Sequence, residues 1–145
     1  MQKKYLSIFL AFLFCACTPV EQKQAREFVA SKLKDPQSTQ FRNEVLKIGI
    51  LCGELNSKNS YGAYVGFKRF IASGKQFAFV DGMGLVAGKE PELNAAEVTK
   101  FVGFEIEIFH IMVEDLKQGK DRISEAEKQK LIESKKFAYF WEKYC

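Results

Sequence analysis

The sequence is poor in the side chains on which most metal sites and many enzymes depend. Beyond residue 17 it contains one histidine, His110, and two cysteines, Cys52 and Cys145, which lie far apart. A zinc site takes three or four closely arranged cysteine, histidine or carboxylate ligands, so we predict no metal site and no cofactor. No serine or cysteine near the histidine belongs to a nucleophile motif, and we therefore expect no enzymatic activity.

Two weaker catalytic patterns do not change this expectation. Glu105 and Glu107 would share one face of a strand, but two glutamates separated by one residue point apart on a helix. Residues 81–85 contain two glycines without the spacing of a phosphate-binding loop. A cell-wall-active enzyme is therefore the most remote alternative, and it would need a deep cleft that holds Glu105 or His110.

The chain has no strong excess of either charge. Its formal net charge is +4, and two of its basic residues, Lys3 and Lys4, lie close to the N-terminus. Nucleic-acid-binding domains carry a larger and more clustered excess of lysine and arginine, so we expect no nucleic-acid partner. The 14 phenylalanines indicate an aromatic-rich core.

A short apolar run follows Lys3 and Lys4. It is about 10 residues long, which is the length of a signal-peptide core, whereas a membrane-spanning helix needs about 20. The run ends in the sequence FCAC at residues 14–17, with a small residue before the second cysteine. This pattern resembles a bacterial lipoprotein signal peptide with its lipobox. A buried N-terminal helix is the alternative interpretation.

The resemblance implies that residues 1–16 are a signal peptide and that Cys17 becomes the lipidated N-terminus. Acyl chains such as palmitate would anchor the protein durably, since each buried methylene contributes about 0.8 kcal/mol. Thr18 stands where an aspartate would favour retention in the inner membrane of Gram-negative bacteria. The resemblance therefore implies an outer-membrane lipoprotein facing the periplasm or the cell surface, or a plasma-membrane one in a Gram-positive host. Residues 17–24 would form a lipidated tether.

The rest of the chain is long enough for a single domain, which we place at residues 25–145. Loss of Cys15 with the leader and lipidation of Cys17 would leave only Cys52 and Cys145. An exported protein meets an oxidising compartment, where an even pair of cysteines is expected to form a disulfide. Two free thiols are the alternative.

Hydrophobic periodicity predicts an N-terminal helix followed by a three-stranded antiparallel meander. Helical spacing extends over residues 21–34, and Pro36 ends that helix. A hairpin turn is predicted at residues 73–75, and residues 82–93 are predicted to be a loop. The strands are predicted over residues 43–54, 61–71 and 76–80.

Two C-terminal helices complete the predicted fold. Asn94 with Glu97, and Ser124 with Glu127, have the spacing of helix N-terminal capping boxes. Residues 98–113 fit either a helix or a strand, and the cap and the length favour the helix. The predicted class is α+β: an N-terminal helix, a three-stranded antiparallel meander, and two C-terminal helices packed on one sheet face.

Two segments and the C-terminus form a further pattern. Residues 33–41 read LKDPQSTQF, and residues 52–60 follow the form Cys-Gly-Glu-x-Asn-x-Lys-Asn-Ser. The chain also ends with Trp141 followed by a terminal Tyr-Cys pair. Together these features resemble a family of small exported bacterial proteins of uncharacterised activity. The resemblance implies a hairpin signature and supports the disulfide between Cys52 and Cys145, but it implies no activity.

The polar residues of this signature define a candidate partner-binding patch. Asn56 and Asn59 suit turns because their side chains bond to local backbone, and Glu54 could pair across strands with Lys58 or Arg69. A purely structural role for these turn residues is the alternative. The patch consists of Glu54, Asn56, Lys58, Asn59, Tyr64 and Arg69.

The sequence therefore predicts a membrane-anchored envelope lipoprotein that acts as a non-catalytic binding module for an envelope partner, through its sheet face or its loops. An inhibitor, immunity or exclusion role falls within this prediction. The alternative is a structural envelope lipoprotein with no discrete ligand.

Overall fold

The structure is a computed structural model that describes residues 19–120 and 123–145. In this part of the chain the α-helices are α1 (Val20–Ala30), α2 (Ala95–Lys117) and α3 (Glu125–Tyr144). The strands are β1 (Gln40–Lys47), β2 (Ile50–Asn56), β3 (Lys68–Ser73), β4 (Phe77–Val80) and β5 (Gly84–Gly88). Among these residues, no helix combines the length and the apolarity needed to cross a membrane. The predicted leader and Cys17 lie outside the described residues.

The predicted α+β class is confirmed, but the sheet has five strands instead of three. All neighbouring pairs are antiparallel, and the order β1-β2-β3-β4-β5 follows the chain. The loop predicted over 82–93 contains β5, which is short and begins and ends with glycine. The strand predicted over 61–71 begins only at Lys68, because the residues before it form a loop.

The single strand predicted over 43–54 is a hairpin of two strands. The chain turns back at Ile48 and Gly49, whose φ angles are 48° and 74°. Positive φ at both central residues is typical of a type I′ turn, which prefers Asn-Gly. Gly49 fits this preference, but Ile48 stands where asparagine is preferred, and an alternating apolar pattern continues through the turn. The side chain of Ile48 is fully exposed.

The N-terminal helix α1 covers one face of the sheet. It begins at Val20 and ends at Ala30, four residues before the predicted end. Pro36 lies in a short 3₁₀ helix, in which the side chain of Asp35 accepts a hydrogen bond from the Ser38 N–H at 3.2 Å. The core on this face combines helix and sheet side chains, among them Ala25, Val29, Leu51, Leu55, Phe70 and Val80.

The other face of the sheet is covered by α3. Phe140 of α3 lies against Phe79 of β4, with ring centroids 4.9 Å apart. Phe101 of α2 contacts Phe140 edge-on at 5.6 Å, so α2 reaches this aromatic core from outside α3. The prediction that both C-terminal helices pack on the sheet therefore holds for α3, whereas α2 packs mainly on α3. The expected aromatic-rich core lies here.

Both C-terminal helices begin as predicted. The capping boxes of Asn94 with Glu97 and of Ser124 with Glu127 are complete. Residues 98–113 are helical, which confirms the favoured interpretation. Glu105 lies at an exposed position of α2, so its carboxylate stays in contact with solvent.

A disulfide joins Cys52 of β2 to Cys145, as predicted, with Cα atoms 5.8 Å apart. It links residues 93 positions apart in the sequence. The last turn of α3 is thereby fixed to a strand inside the sheet.

We predict that Ile48→Asn stabilises the domain by about 1 kcal/mol. A left-handed backbone costs an ordinary L-residue about 1–2 kcal/mol, and asparagine tolerates this conformation better. The isoleucine side chain is fully exposed, so the substitution removes no packing. Thermal unfolding should show a Tm that is higher by a few degrees. The control Val45→Asn, at an exposed position of β1, should give no gain, and a lower Tm for Ile48→Asn would contradict the prediction.

Candidate functional site

The signature segment forms a closed loop between β2 and β3. The side chain of Asn59 accepts hydrogen bonds from the backbone N–H groups of Tyr61 at 2.9 Å and Ala63 at 3.1 Å. The Tyr64 hydroxyl donates to the carbonyl of Ser38 at 3.1 Å, which ties the loop to the segment after α1. Asn59 thus has the local structural role that its turn chemistry indicates.

Glu54 and Arg69 lie directly opposite each other on β2 and β3, but each bonds elsewhere. Glu54 accepts hydrogen bonds from Arg42 and Asn43, both at 2.7 Å, and these bonds lower the pKa of the Glu54 carboxyl. Arg69 donates to Asp81 at 2.7 Å. Cross-strand ion pairing is therefore present, with partners other than those predicted.

The six residues of the predicted patch do not form one surface. Strand alternation places Glu54, Asn56 and Arg69 on the α3 side of the sheet. Arg69 lies over the ring of Trp141 at 5.1 Å, and Asn56 is buried. Lys58 and Asn59, by contrast, line a cleft on the α1 side.

That cleft has a volume of about 370 Å³ and is lined by lysines above an apolar floor. The lysines come from the segment after α1, the signature loop and the start of β3, and they are Lys32, Lys34, Lys58 and Lys68. Leu33 and Leu55 form the floor, and Val65 and Met83 lie at the rim. We call this site the lysine cleft. Of its lysines only Lys58 belongs to the predicted patch. Lys32 and Lys34 lie more than 20 positions before Lys58, and Lys68 is next to the patch residue Arg69 in the sequence.

A second, larger surface lies on α2. Its inner side, with Phe101 and Ile108, is buried. Its outer side, turned away from α3, carries a row of apolar side chains spaced alternately four and three residues apart: Val102, Ile106, Phe109, Val113 and Leu116. We call this row the outer stripe. Val113 is half-buried, and the other members are 49% to 60% exposed. The sequence did not indicate this surface, because periodicity does not show which of two apolar sides of a helix is covered.

One buried carboxylate fixes α2 on α3. Glu97, in the first turn of α2, accepts hydrogen bonds from Lys143 at 2.6 Å and from the Tyr139 hydroxyl at 2.5 Å. It also accepts one from the Asn94 backbone N–H at 3.0 Å. These bonds, that from Lys143 first, lower the pKa of Glu97 to about 2. The sequence indicated Glu97 as a cap only, since Tyr139 and Lys143 lie more than 40 residues away.

The two residues that an enzyme would need to bring into a cleft lie elsewhere. Glu105 and His110 are exposed on α2 and do not line the lysine cleft. They also do not line the wider depression of about 1300 Å³ at the opposite end of the sheet.

No protein-family model matches the sequence, and no curated protein and no solved structure matches it either. The resemblance to a lipoprotein leader and to the signature family therefore stays a prediction.

Glu97 makes stability depend on pH in the acidic range. Its pKa is about 2 in the folded state and about 4.5 when unfolded, so its contribution is present above about pH 4.5. That contribution is lost as the pH falls towards about 2. In Glu97→Gln, the free energy of unfolding measured with denaturant should therefore fall less steeply between about pH 5 and pH 2 than in the original protein. Glu105→Gln, on the exposed side of α2, should keep the original slope, and an unchanged slope for Glu97→Gln would contradict this role.

Proposed function

We propose that the chain is a membrane-anchored envelope lipoprotein whose folded domain is a non-catalytic binding module. In this proposal the outer stripe binds an amphipathic helix of an envelope protein. The observation that carries it is the row of exposed apolar side chains on a helix whose other side is already packed. An inhibitor, immunity or exclusion role is compatible with such a module.

The fold does not need the apolar side chains of the outer stripe. Contiguous exposed apolar patches on soluble domains mark interaction sites, whereas scattered exposed apolar residues need no explanation. The inner side of α2 already supplies Phe101 and Ile108 to the fold. Burial of the outer stripe would therefore add free energy only when a partner covers it.

The spacing of the outer stripe favours a helical partner. Alternate steps of four and three residues keep the side chains on one narrow seam, which is the pattern by which one helix packs along another. Glu105 lies beside one edge of the seam, and His110 and Lys117 lie beside the other. We expect the partner helix to carry a basic residue opposite Glu105 and an acidic residue opposite Lys117.

The proposed anchor would hold this domain close to the membrane. The first helical residue is Val20, within the segment 17–24 that was predicted to be a tether. The chain between Cys17 and Val20 can span at most about 10 Å. A lipid on Cys17 would therefore restrict the module to partners at the membrane surface, consistent with the proposed outer-membrane location.

Cys17→Ser should abolish the incorporation of labelled palmitate and change the mobility of the protein on a gel, because serine cannot form the thioether. Membrane fractionation and intact mass measure the outcome. Cys15→Ser, at the neighbouring cysteine, should leave both labelling and fractionation unchanged. If the Cys17→Ser protein stayed in the membrane fraction with unaltered mobility, the lipoprotein proposal would be wrong.

In the double variant Ile106→Ser with Phe109→Ser, the amount of envelope partner recovered by crosslinking and by co-purification should fall at least tenfold. Both side chains are exposed, so folding should be retained. The matched control is Val45→Ser with Ile48→Ser, which removes two exposed apolar side chains from β1 and its turn. It should keep the partner.

Two outcomes would overturn this assignment of the outer stripe. If the purified protein self-associates and the double variant does not, the partner of the stripe is a second copy of the chain. A diffuse envelope defect on deletion, with no protein crosslinked through the stripe, would support the structural alternative.

A further inference from the structure

The lysine cleft carries positive charge that no carboxylate among the described residues pairs with. None of its four lysines pairs with a carboxylate among the residues that the structure describes. Every arginine in the same residues does pair: Arg26 with Glu44, Arg42 with Glu54 and Arg69 with Asp81. Lysines elsewhere in the fold are paired as well, Lys143 with Glu97 and Lys136 with Glu90 among them. The four lysines of the cleft thus differ from these in having no carboxylate partner among the described residues.

The four ammonium groups come from three separate parts of the chain. Lys32 and Lys34 follow the end of α1, Lys58 lies in the signature loop, and Lys68 begins β3. The loop is held in place by the Tyr64 hydroxyl bond to Ser38, and Lys58 lies 5.4 Å from the centre of the Tyr64 ring. Because four lysines line one cleft, they give it a positive potential that attracts an anion.

The floor of the cleft indicates what else the ligand carries. Leu33 and Leu55 are buried members of the α1 core and line the cleft, while Val65 and Met83 are exposed at its rim. A purely inorganic anion would leave Val65 and Met83 in contact with water. A ligand with an apolar part beside its anionic group would cover them.

We infer that the lysine cleft binds a phosphate monoester carried on an apolar group. The lysines contact the phosphate, because the ammonium group is a compact charge that binds phosphate oxygens well. The apolar part lies on Leu33, Leu55 and Met83. A volume of about 370 Å³ is at the lower end of ligand pockets, so it accommodates a phosphorylated head with a few methylenes and not a whole lipid.

The test uses residues 19–145, which contain both hydrophobic cores and the disulfide. The probe is dihexanoyl phosphatidic acid below its micelle concentration, titrated by calorimetry and by NMR of the lysine side chains. It should bind at least tenfold more tightly than inorganic phosphate and perturb the signals of Lys58 and Lys68. Lys58→Ala with Lys68→Ala should weaken it at least tenfold, whereas Lys75→Ala with Lys130→Ala, which removes equal charge from outside the cleft, should not.

The source of the ligand is decided by a second arm. The protein is sedimented with phosphatidylcholine vesicles that contain phosphatidic acid. If the protein binds these vesicles and the Lys58→Ala with Lys68→Ala variant alone does not, the ligand is a lipid head group. Binding of the short-chain probe without vesicle binding would assign the site to a soluble phosphorylated compound.

Two results would overturn the inference. Equal affinity for inorganic phosphate and for the probe would show that the apolar floor has no role. An equal loss of binding in both double variants would reduce the effect to general surface charge. Neither result depends on Cys17 or on the outer stripe.

Discussion

The bond between Cys52 and Cys145 is the constraint on which the rest of the structure depends. It joins a strand inside the sheet to the last residue of α3 across 93 positions. In the chain-entropy model, closing a loop of this length stabilises the folded state by about 4.6 kcal/mol. Since α3 is held against the sheet at its end, Phe140 packs on Phe79 and Tyr144 lies near Phe77. The aromatic core is therefore assembled around this bond.

This placement of α3 decides which surfaces remain for a partner. Helix α1 covers one sheet face and α3 covers the other, so the sheet face that the sequence had suggested for binding is enclosed. Helix α2 is added outside α3, through Phe101 and the Glu97 bonds to Tyr139 and Lys143. Its outer stripe has no element left to cover it among the described residues. Exposure of the stripe is thus a consequence of topology.

The features that could be predicted from the sequence are those that depend on residues close together in the chain or on the number of cysteines. The two capping boxes depend on residues three positions apart, and the disulfide followed from the number of cysteines. The hairpin at Ile48 was missed because an isoleucine occupies a left-handed position that normally favours asparagine or glycine. The Glu97 contacts and the lysine cleft were missed because their members meet only after the sheet has formed. Periodicity is a local signal and cannot show such meetings.

The lysine cleft and the outer stripe lie on opposite sides of the sheet, and this separation matters for how the protein could act. The cleft is built on the segment after α1 and the loop after β2, while the stripe is carried by α2 beyond α3. Neither shares a residue with the other, so both can be occupied at once. A partner on the stripe would be recognised by shape and apolar contact, and a ligand in the cleft by charge. Because neither contact is needed for folding, each surface can be altered separately while the disulfide and the two cores keep the domain intact.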